Sequence, residues 1–240
     1  GFIWAVIGWS FVHDEQGRCT DSTRNAIVAC QGQNKTQRLR TCGPTNKARR
    51  KGIGVMNQFH RWICQSGYWK RKLEQRVLPW VLGDLELGGN LLEVGPGLTT
   101  DLLRLRVGRL TAVEIDSHLA ESLASRLHGT NVEVVRGDAT ALPFQDGSFS
   151  GAVSFTMLHH VPSAELQDRL LREVCRVIYP GAVFAGVDSL SNLRMRLLHI
   201  WDTLVPVDPS TLGARLEAAG FTRISIAVDG RTFRFSAKRV

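Results

Sequence analysis

A glycine turn near the middle of the chain is the first stretch whose residue types suit chemistry. Gly95 and Gly97 follow a largely apolar run at 91–94, and a polar-capped amphipathic segment begins at Thr99 or Thr100. Glycines lack Cβ atoms, so they accept positive φ angles and let a ligand approach the backbone closely. A buried strand, a tight glycine turn and a helix start together form the local pattern of a nucleotide-type cofactor site.

Three acidic residues lie where apolar runs end. Glu93 lies inside the glycine motif, Glu114 follows 21 residues later, and Asp138 follows after another 24. Each spacing is about one strand–helix unit, so parallel strands would bring the three carboxylates to one edge of a sheet. A carboxylate beyond the second strand suits bidentate hydrogen bonding to ribose hydroxyls. Asp138 suits an adenine amino group, with the backbone N–H of Ala139 facing a ring nitrogen.

Two adjacent histidines are the candidates for contact with a second substrate. His159 and His160 follow the fourth strand-like run, on the rim where an acceptor would lie. Imidazole titrates near neutral pH, so either ring could act as a base or bind the substrate, and the alternative is a helix-start or packing role. The five cysteines and the histidines show no spacing typical of zinc, so we predict no metal site and assign the cysteines no role.

Strands and helices alternate through the part of the chain that carries these residues. The pattern predicts strands at 91–94, 110–116, 132–136, 151–155 and 182–187, with helices at 99–107, 117–127 and 164–177 between them. It then predicts a helix at 210–219 and two strands, 222–228 and 232–238, joined by an Asp229-Gly230 turn. The fold class is therefore α/β: a Rossmann-like, doubly wound and mostly parallel sheet that ends in an antiparallel hairpin strand.

The net charge of +8 is unevenly distributed along the 240 residues. Counting Lys and Arg against Asp and Glu gives +6 for residues 1–55, +4 for 56–83 and −2 for 84–240. A nucleic-acid enzyme would more often carry cations around its working cleft. Nucleic acid is therefore not the expected partner, although the chain is basic overall.

Six motifs, in this order and spacing, resemble class I S-adenosylmethionine-dependent methyltransferases of the small-molecule, type 11-like kind. They are Leu-Glu-Val-Gly-Pro-Gly at 92–97, Ala-Val-Glu-Ile-Asp at 112–116, Gly-Asp-Ala at 137–139, Leu-Pro-Phe-Gln-Asp-Gly-Ser-Phe at 142–149, Leu-His-His-Val at 158–161 and Arg-Val-Ile-Tyr-Pro-Gly-Ala at 176–182. The resemblance implies a seven-stranded sheet, with S-adenosyl-L-methionine as the cofactor. The implied cofactor-binding residues are Glu93, Gly95, Pro96, Gly97, Glu114, Ile115, Asp138 and Ala139.

Two positions depart from the family pattern. A third glycine is usual in the first loop, where this chain has Leu98 and Thr99, and Ser150 stands where an Asp usually follows Phe149. A short loop could narrow the cofactor cleft. We therefore keep two alternatives: a degenerate, non-catalytic member of the family, and a nicotinamide-dependent oxidoreductase, whose Gly-x-Gly-x-x-Gly motif would need a glycine at Thr100.

The sequence divides into three parts. Residues 1–55 are expected to be a poorly ordered basic extension, upstream of a natural start at Met56. Residues 56–83 are expected to form a helical lid and 84–240 the methyltransferase domain. The predicted enzyme is cytoplasmic and moves a methyl group to a small-molecule or lipid-like acceptor by in-line displacement. The acceptor's identity, contact with a membrane surface and the oligomeric state are left open.

Overall fold

The computed structural model describes residues 66–83, 85–200 and 202–240, and these contain a seven-stranded sheet. Its strands are β1 Asn90–Val94, β2 Arg109–Glu114, β3 Val132–Arg136, β4 Phe149–Phe155, β5 Ile178–Ser189, β6 Phe221–Asp229 and β7 Thr232–Arg239. The strand order is β3-β2-β1-β4-β5-β7-β6. The first five strands pair in parallel, and β7 lies antiparallel between β5 and β6. The predicted fold class is confirmed.

The helices connect the strands and cover both faces of the sheet. They are α1 Gly67–Lys72, α2 Leu78–Leu82, α3 Leu98–Leu103, α4 Ser117–Arg126, α5 Ala164–Val177, α6 Leu193–Leu198 and α7 Pro209–Ala218, with a 3₁₀ turn at Leu158–His160. A π-helical turn, Leu73–Val77, joins α1 to α2. It ends just before Pro79, which has no N–H to continue the α-helical ladder.

Two hydrophobic cores result from the alternation of side chains along the strands. Leu92 and Val94 of β1 belong to the core that also holds buried residues of α5 and α7. Leu91 belongs to the opposite core, which also holds buried residues of α2, α3 and α4. Because side chains alternate along a strand, Glu93 shares its face with Leu91 and lies under α3.

Several element boundaries differ from the sequence predictions. Strand β5 begins at Ile178, because the Pro180-Gly181 pair forms an irregularity within the strand instead of separating it from α5. The hairpin pairs Asp229 with Thr232, so its turn residues are Gly230 and Arg231, one position later than predicted.

Helix ends and lengths also differ. Helix α3 ends at Leu103, four residues before the predicted end. Asp116 caps α4, since its carboxylate accepts hydrogen bonds from the backbone N–H groups of His118 and Leu119.

Among the described residues, every helix is too short or too polar to cross a bilayer.

Candidate functional site

The glycine loop between β1 and α3 uses its two glycines in different ways. Gly95 has φ of +70°, and a Cβ built there would lie 2.1 Å from Cγ of Met157. A side chain at Gly95 is therefore unfavourable for two reasons, the positive φ angle and the clash with Met157. Gly97 is exposed, and a Cβ built there meets no described atom within 4 Å. The space above Gly97 is thus open to a ligand approaching the backbone.

Glu93 lies beneath this loop and is fully buried. The hydroxyl of Thr99, in the first turn of α3, donates a hydrogen bond to Glu93 Oε1. Burial raises the pKa of Glu93 to about 7, and the hydrogen bond from Thr99 opposes this rise. The carboxyl group therefore changes charge near neutral pH, directly under the glycine turn.

The other two predicted acids lie at the carboxyl ends of β2 and β3. Glu114 is buried, and its Oε1 accepts a hydrogen bond of 2.8 Å from the backbone N–H of Asp116. Ile115 follows with 52% of its surface exposed. Asp138 is exposed, and its Oδ1 accepts hydrogen bonds from the N–H and the hydroxyl of Thr140, both at 2.8 Å. These bonds fix the orientation of both carboxylates.

One cavity of about 1140 Å³ joins the glycine loop to the ends of these strands. Its lining includes seven of the eight predicted cofactor-binding residues: Gly95, Pro96, Gly97, Glu114, Ile115, Asp138 and Ala139. Glu93 does not line the cavity and instead supports the loop from below. The donor set fits an adenosyl cofactor: carboxylates for hydroxyl and amino groups, an exposed apolar side chain for a ring, and open space at Gly97.

Histidines line a second part of the same cavity. His159 is buried, and its Nδ1 donates a hydrogen bond to Oδ1 of Asp188, while its backbone N–H donates to Oδ2 at 3.1 Å. His160 and His199 also line this part. His199 Nδ1 donates to the carbonyl of Met195 at 2.7 Å. Burial lowers the pKa of His199 against the opposing effect of this hydrogen bond, so its neutral form is favoured.

Sequence reasoning missed three of these residues. Asp188 ends the fifth predicted strand, so the strand-end argument used for Glu114 would have found it. The sequence pattern identifies Thr99 only as a helix start. His199 offered no usable signal, because it lies forty residues beyond His159 in a segment without recognisable periodicity.

Thr156 marks the backbone turn that leads from β4 into the histidine pair. Its φ is +51°, which is unusual for a β-branched residue, and its N–H donates to the carbonyl of Val187 at 2.8 Å. Thr156 and Met157 both line the cavity. Backbone conformations of this kind concentrate where a structure positions functional groups.

Of the two departures from the family pattern, Ser150 lies away from the cavity. Its hydroxyl oxygen accepts a hydrogen bond from the N–H of Asn90 at 2.9 Å, and the hydroxyl lies within bonding distance of the Leu87 carbonyl. Ser150 therefore ties β4 to the start of β1 and does not bear on cofactor binding. At the shortened loop, α3 begins at Leu98 immediately after Gly97.

Comparison with known proteins agrees with this geometry. Residues 92–186 match a family described as a methyltransferase domain. The chain is 26% identical over 170 residues to a demethylmenaquinone methyltransferase of Desulfitobacterium hafniense, a match that covers 65% of this chain and 63% of that protein. It is 37% identical over 90 residues to a ribosomal RNA small subunit methyltransferase A of Pelotomaculum thermopropionicum, a match that covers 33% of this chain and 30% of that protein. The chain thus spans less than two thirds of the length of these relatives.

A solved structure has the same fold. A SAM-dependent methyltransferase from Thermotoga maritima superposes with a TM-score of 0.58 at 18% identity, covering 78% of this chain and 100% of that one. The family match and the shared fold agree with the resemblance to methyltransferases that the six motifs predicted. Residues 92–186 therefore match a methyltransferase domain, and the sheet that contains them has the fold of a solved SAM-dependent methyltransferase.

Proposed function

We propose that the protein transfers a methyl group from S-adenosylmethionine to a small-molecule or lipid-like acceptor. The observation that carries this proposal is the continuous cavity, which holds the predicted cofactor residues in one part and the histidines in the other. A donor and an acceptor bound in these two parts would be aligned for in-line displacement, and alignment supplies much of the catalysis in such a reaction.

The roles of the residues follow from their positions. Glu114 would bind the ribose hydroxyls, Ile115 would pack against the adenine, and Asp138 would accept from the adenine amino group through Oδ2, since Thr140 engages Oδ1. Gly97 leaves room for the methionine part. When bound, the cofactor supplies a methyl group on a sulfonium, whose leaving group departs neutral. The protein then needs mainly to exclude water and orient the acceptor.

Helix α1 would contribute the cover of the site. Tyr68, Trp69 and Lys72 line the cavity, and the ammonium of Lys72 lies 5.0 Å from the centre of the Trp69 ring. This arrangement supports the idea of a helical lid for the described part of 56–83. The earlier residues of that segment, 56–65, lie outside the described residues, as does the basic extension 1–55.

A small or lipid-like acceptor is favoured by two features. The rim after β4 reads Thr-Met-Leu-His at 156–159, where amino-methylating relatives carry Asp-Pro-Pro-Tyr or Asn-Pro-Pro-Tyr. The relative that aligns over 170 residues is named for a quinone-type acceptor. The ribosomal RNA methyltransferases among the relatives leave nucleic acid as an alternative acceptor for experiment to test. The cytoplasmic location stays a prediction.

Calorimetry on the full chain tests cofactor choice. We expect S-adenosylmethionine to bind and NADH not to bind. Binding of NADH alone would establish the oxidoreductase alternative. If neither compound bound, the degenerate, non-catalytic alternative would be established. Glu114→Ala should weaken binding by roughly 1.5–3 kcal/mol through loss of charge-assisted hydrogen bonds. Glu121→Ala, an exposed change on α4, is the control. Unchanged affinity in Glu114→Ala would refute the ribose assignment.

Labelled methyl transfer tests the acceptor. Cell extract is separated into lipid, small-molecule, protein and RNA fractions, and each is incubated with the enzyme and methyl-labelled cofactor. We expect label in the lipid or small-molecule fraction. Label confined to RNA would overturn the proposed acceptor class while leaving the methyltransferase assignment intact.

A further inference from the structure

Three histidine rings meet at the acceptor part of the cavity. His159 and His160 come from the 3₁₀ turn after β4, and His199 follows the end of α6. One ring nitrogen from each lies within 4.8 Å of the other two. His159 is 3% exposed and His199 5% exposed, so two of the rings are held inside the protein. All three members of this cluster, the histidine triad, line the cavity.

Hydrogen bonds to the ring nitrogens fix the tautomers of two of the three histidines. His159 donates from Nδ1 to the Asp188 carboxylate, and His199 donates from Nδ1 to the Met195 carbonyl. In the neutral form of each ring, a proton on Nδ1 leaves the lone pair on Nε2. Metal-binding histidines almost always donate their other ring N–H to a carboxylate or a backbone carbonyl, which fixes the tautomer and raises ligand basicity. The triad has one partner of each type, the Asp188 carboxylate for His159 and the Met195 carbonyl for His199.

The spacing of the rings agrees with coordination of one ion. Zinc–nitrogen bonds of about 2.0–2.1 Å in a tetrahedron place imidazole centres roughly 5 Å apart and their bound nitrogens roughly 3.4 Å apart. The His159–His199 and His160–His199 ring centres are 5.0 and 5.1 Å apart, and the His159–His160 centres are 4.2 Å apart. One nitrogen of each ring already lies within 4.8 Å of a nitrogen of the other two, which is the proximity that a shared ion requires.

We propose that His159, His160 and His199 bind a zinc-type divalent ion, with Asp188 and Met195 orienting two of the ligands. Three protein nitrogens leave a fourth position, as in catalytic zinc sites, and here the triad lines the acceptor part of the cavity. Residue spacing did not indicate this site, because its third ligand lies forty residues beyond the first.

This site deepens the proposed function by naming the acceptor's chemistry, and in that respect it rests on the proposed function. A divalent ion lowers the pKa of a hydroxyl or thiol that coordinates it. The acceptor would then bind through an oxygen or sulfur atom and release its proton to solvent on binding. Methylation would occur at that oxygen or sulfur, which makes an alcohol, enol, phenol or thiol the expected acceptor.

Metal content tests the site without any assay of activity. The full chain, carrying no polyhistidine tag, is loaded with Zn²⁺, dialysed against metal-free buffer and analysed by atomic emission. We expect about one ion per chain in the parent and a loss of at least about tenfold in affinity for His199→Gln. His128→Gln makes the same chemical change at an exposed turn and should keep the ion.

Two further variants guard against misfolding of His199→Gln, whose ring is buried. His160→Gln alters a half-buried ligand, and Asp188→Asn alters only an orienting partner, which should weaken affinity about 10–100-fold. Circular dichroism of each variant reports its fold. The proposal would be overturned if His160→Gln and His199→Gln retained as much zinc as His128→Gln and the parent.

Cobalt replacement identifies the ligand atoms. Co²⁺ in the parent protein should give the visible bands of a tetrahedral nitrogen site, and these should be lost in His199→Gln. Strong sulfur-to-cobalt charge transfer in every variant would place the ion on cysteines and overturn the triad. Calorimetry with S-adenosylmethionine on the same samples separates the two hypotheses: cofactor binding without metal removes only the metal site, and metal without cofactor binding removes only the methyltransferase function.

Discussion

Replacing Glu93 with a glutamine should remove a large pH dependence of folding stability. Burial raises the pKa of Glu93 to about 7 from an ordinary value of 4.5. At pH values between these two pKa values, the folded state binds more protons at Glu93 than the unfolded state does. The free energy of unfolding therefore falls as the pH rises through this interval. At about 1.4 kcal/mol per pKa unit, the loss attributable to Glu93 totals about 3 kcal/mol by about pH 7.

The side chain introduced by Glu93→Gln cannot ionise, and its amide oxygen can still accept the hydrogen bond from Thr99. Urea unfolding at a series of pH values from about 5 to about 8 measures the difference in free energy of unfolding between Glu93→Gln and the parent. We expect this difference to shift by about 2.5 kcal/mol in favour of the variant across the range, because part of the effect is already present at pH 5. Glu121→Gln, an exposed change on α4, should show no comparable shift. Parallel curves for Glu93→Gln and the parent would refute the assignment of a buried, ionising carboxyl group.

Two loops around the site are tested by three other substitutions. Gly95→Ala should destabilise the fold by about 1–3 kcal/mol, because its φ is positive and its Cβ would contact Met157. Gly97→Ala should leave urea stability nearly unchanged but weaken S-adenosylmethionine binding; equal stability of the two variants would contradict the packing argument. Arg176→Met should cost roughly 2–4 kcal/mol and speed hydrogen exchange in residues 142–149, because its guanidinium bonds to two carbonyls of that loop. Unchanged exchange there would show that other contacts order the loop.

The cofactor part of the site could be predicted from the sequence because parallel strands constrain it. Residues that end neighbouring parallel strands must meet at one edge of the sheet, so spacing along the chain becomes proximity in space. Glu114 and Asp138 were found in this way, and both line the cavity beside Gly97. The closing hairpin was found because Asp-Gly turns have a strong local signature.

Connections without such a constraint could not be predicted. The position of α6, and with it His199, depends on packing between segments far apart in the chain, and no local pattern encodes that packing. The start of β5 was also misplaced, because Pro180-Gly181 looks like a break, whereas the structure uses the pair as an irregularity inside a longer strand.

The shortened glycine loop is better explained by what lies under it than by a loss of function. Where the family usually has a third glycine, this chain starts α3, and Thr99 in its first turn donates a hydrogen bond to buried Glu93. A glycine there could not make that bond, and Oε1 of Glu93 would lose this donor in a fully buried position, which is costly. Thr99 therefore couples the loop to β1, while the space above Gly97 stays open. The absence of a glycine at this position changes how the loop is held, and the cavity that the loop lines is retained.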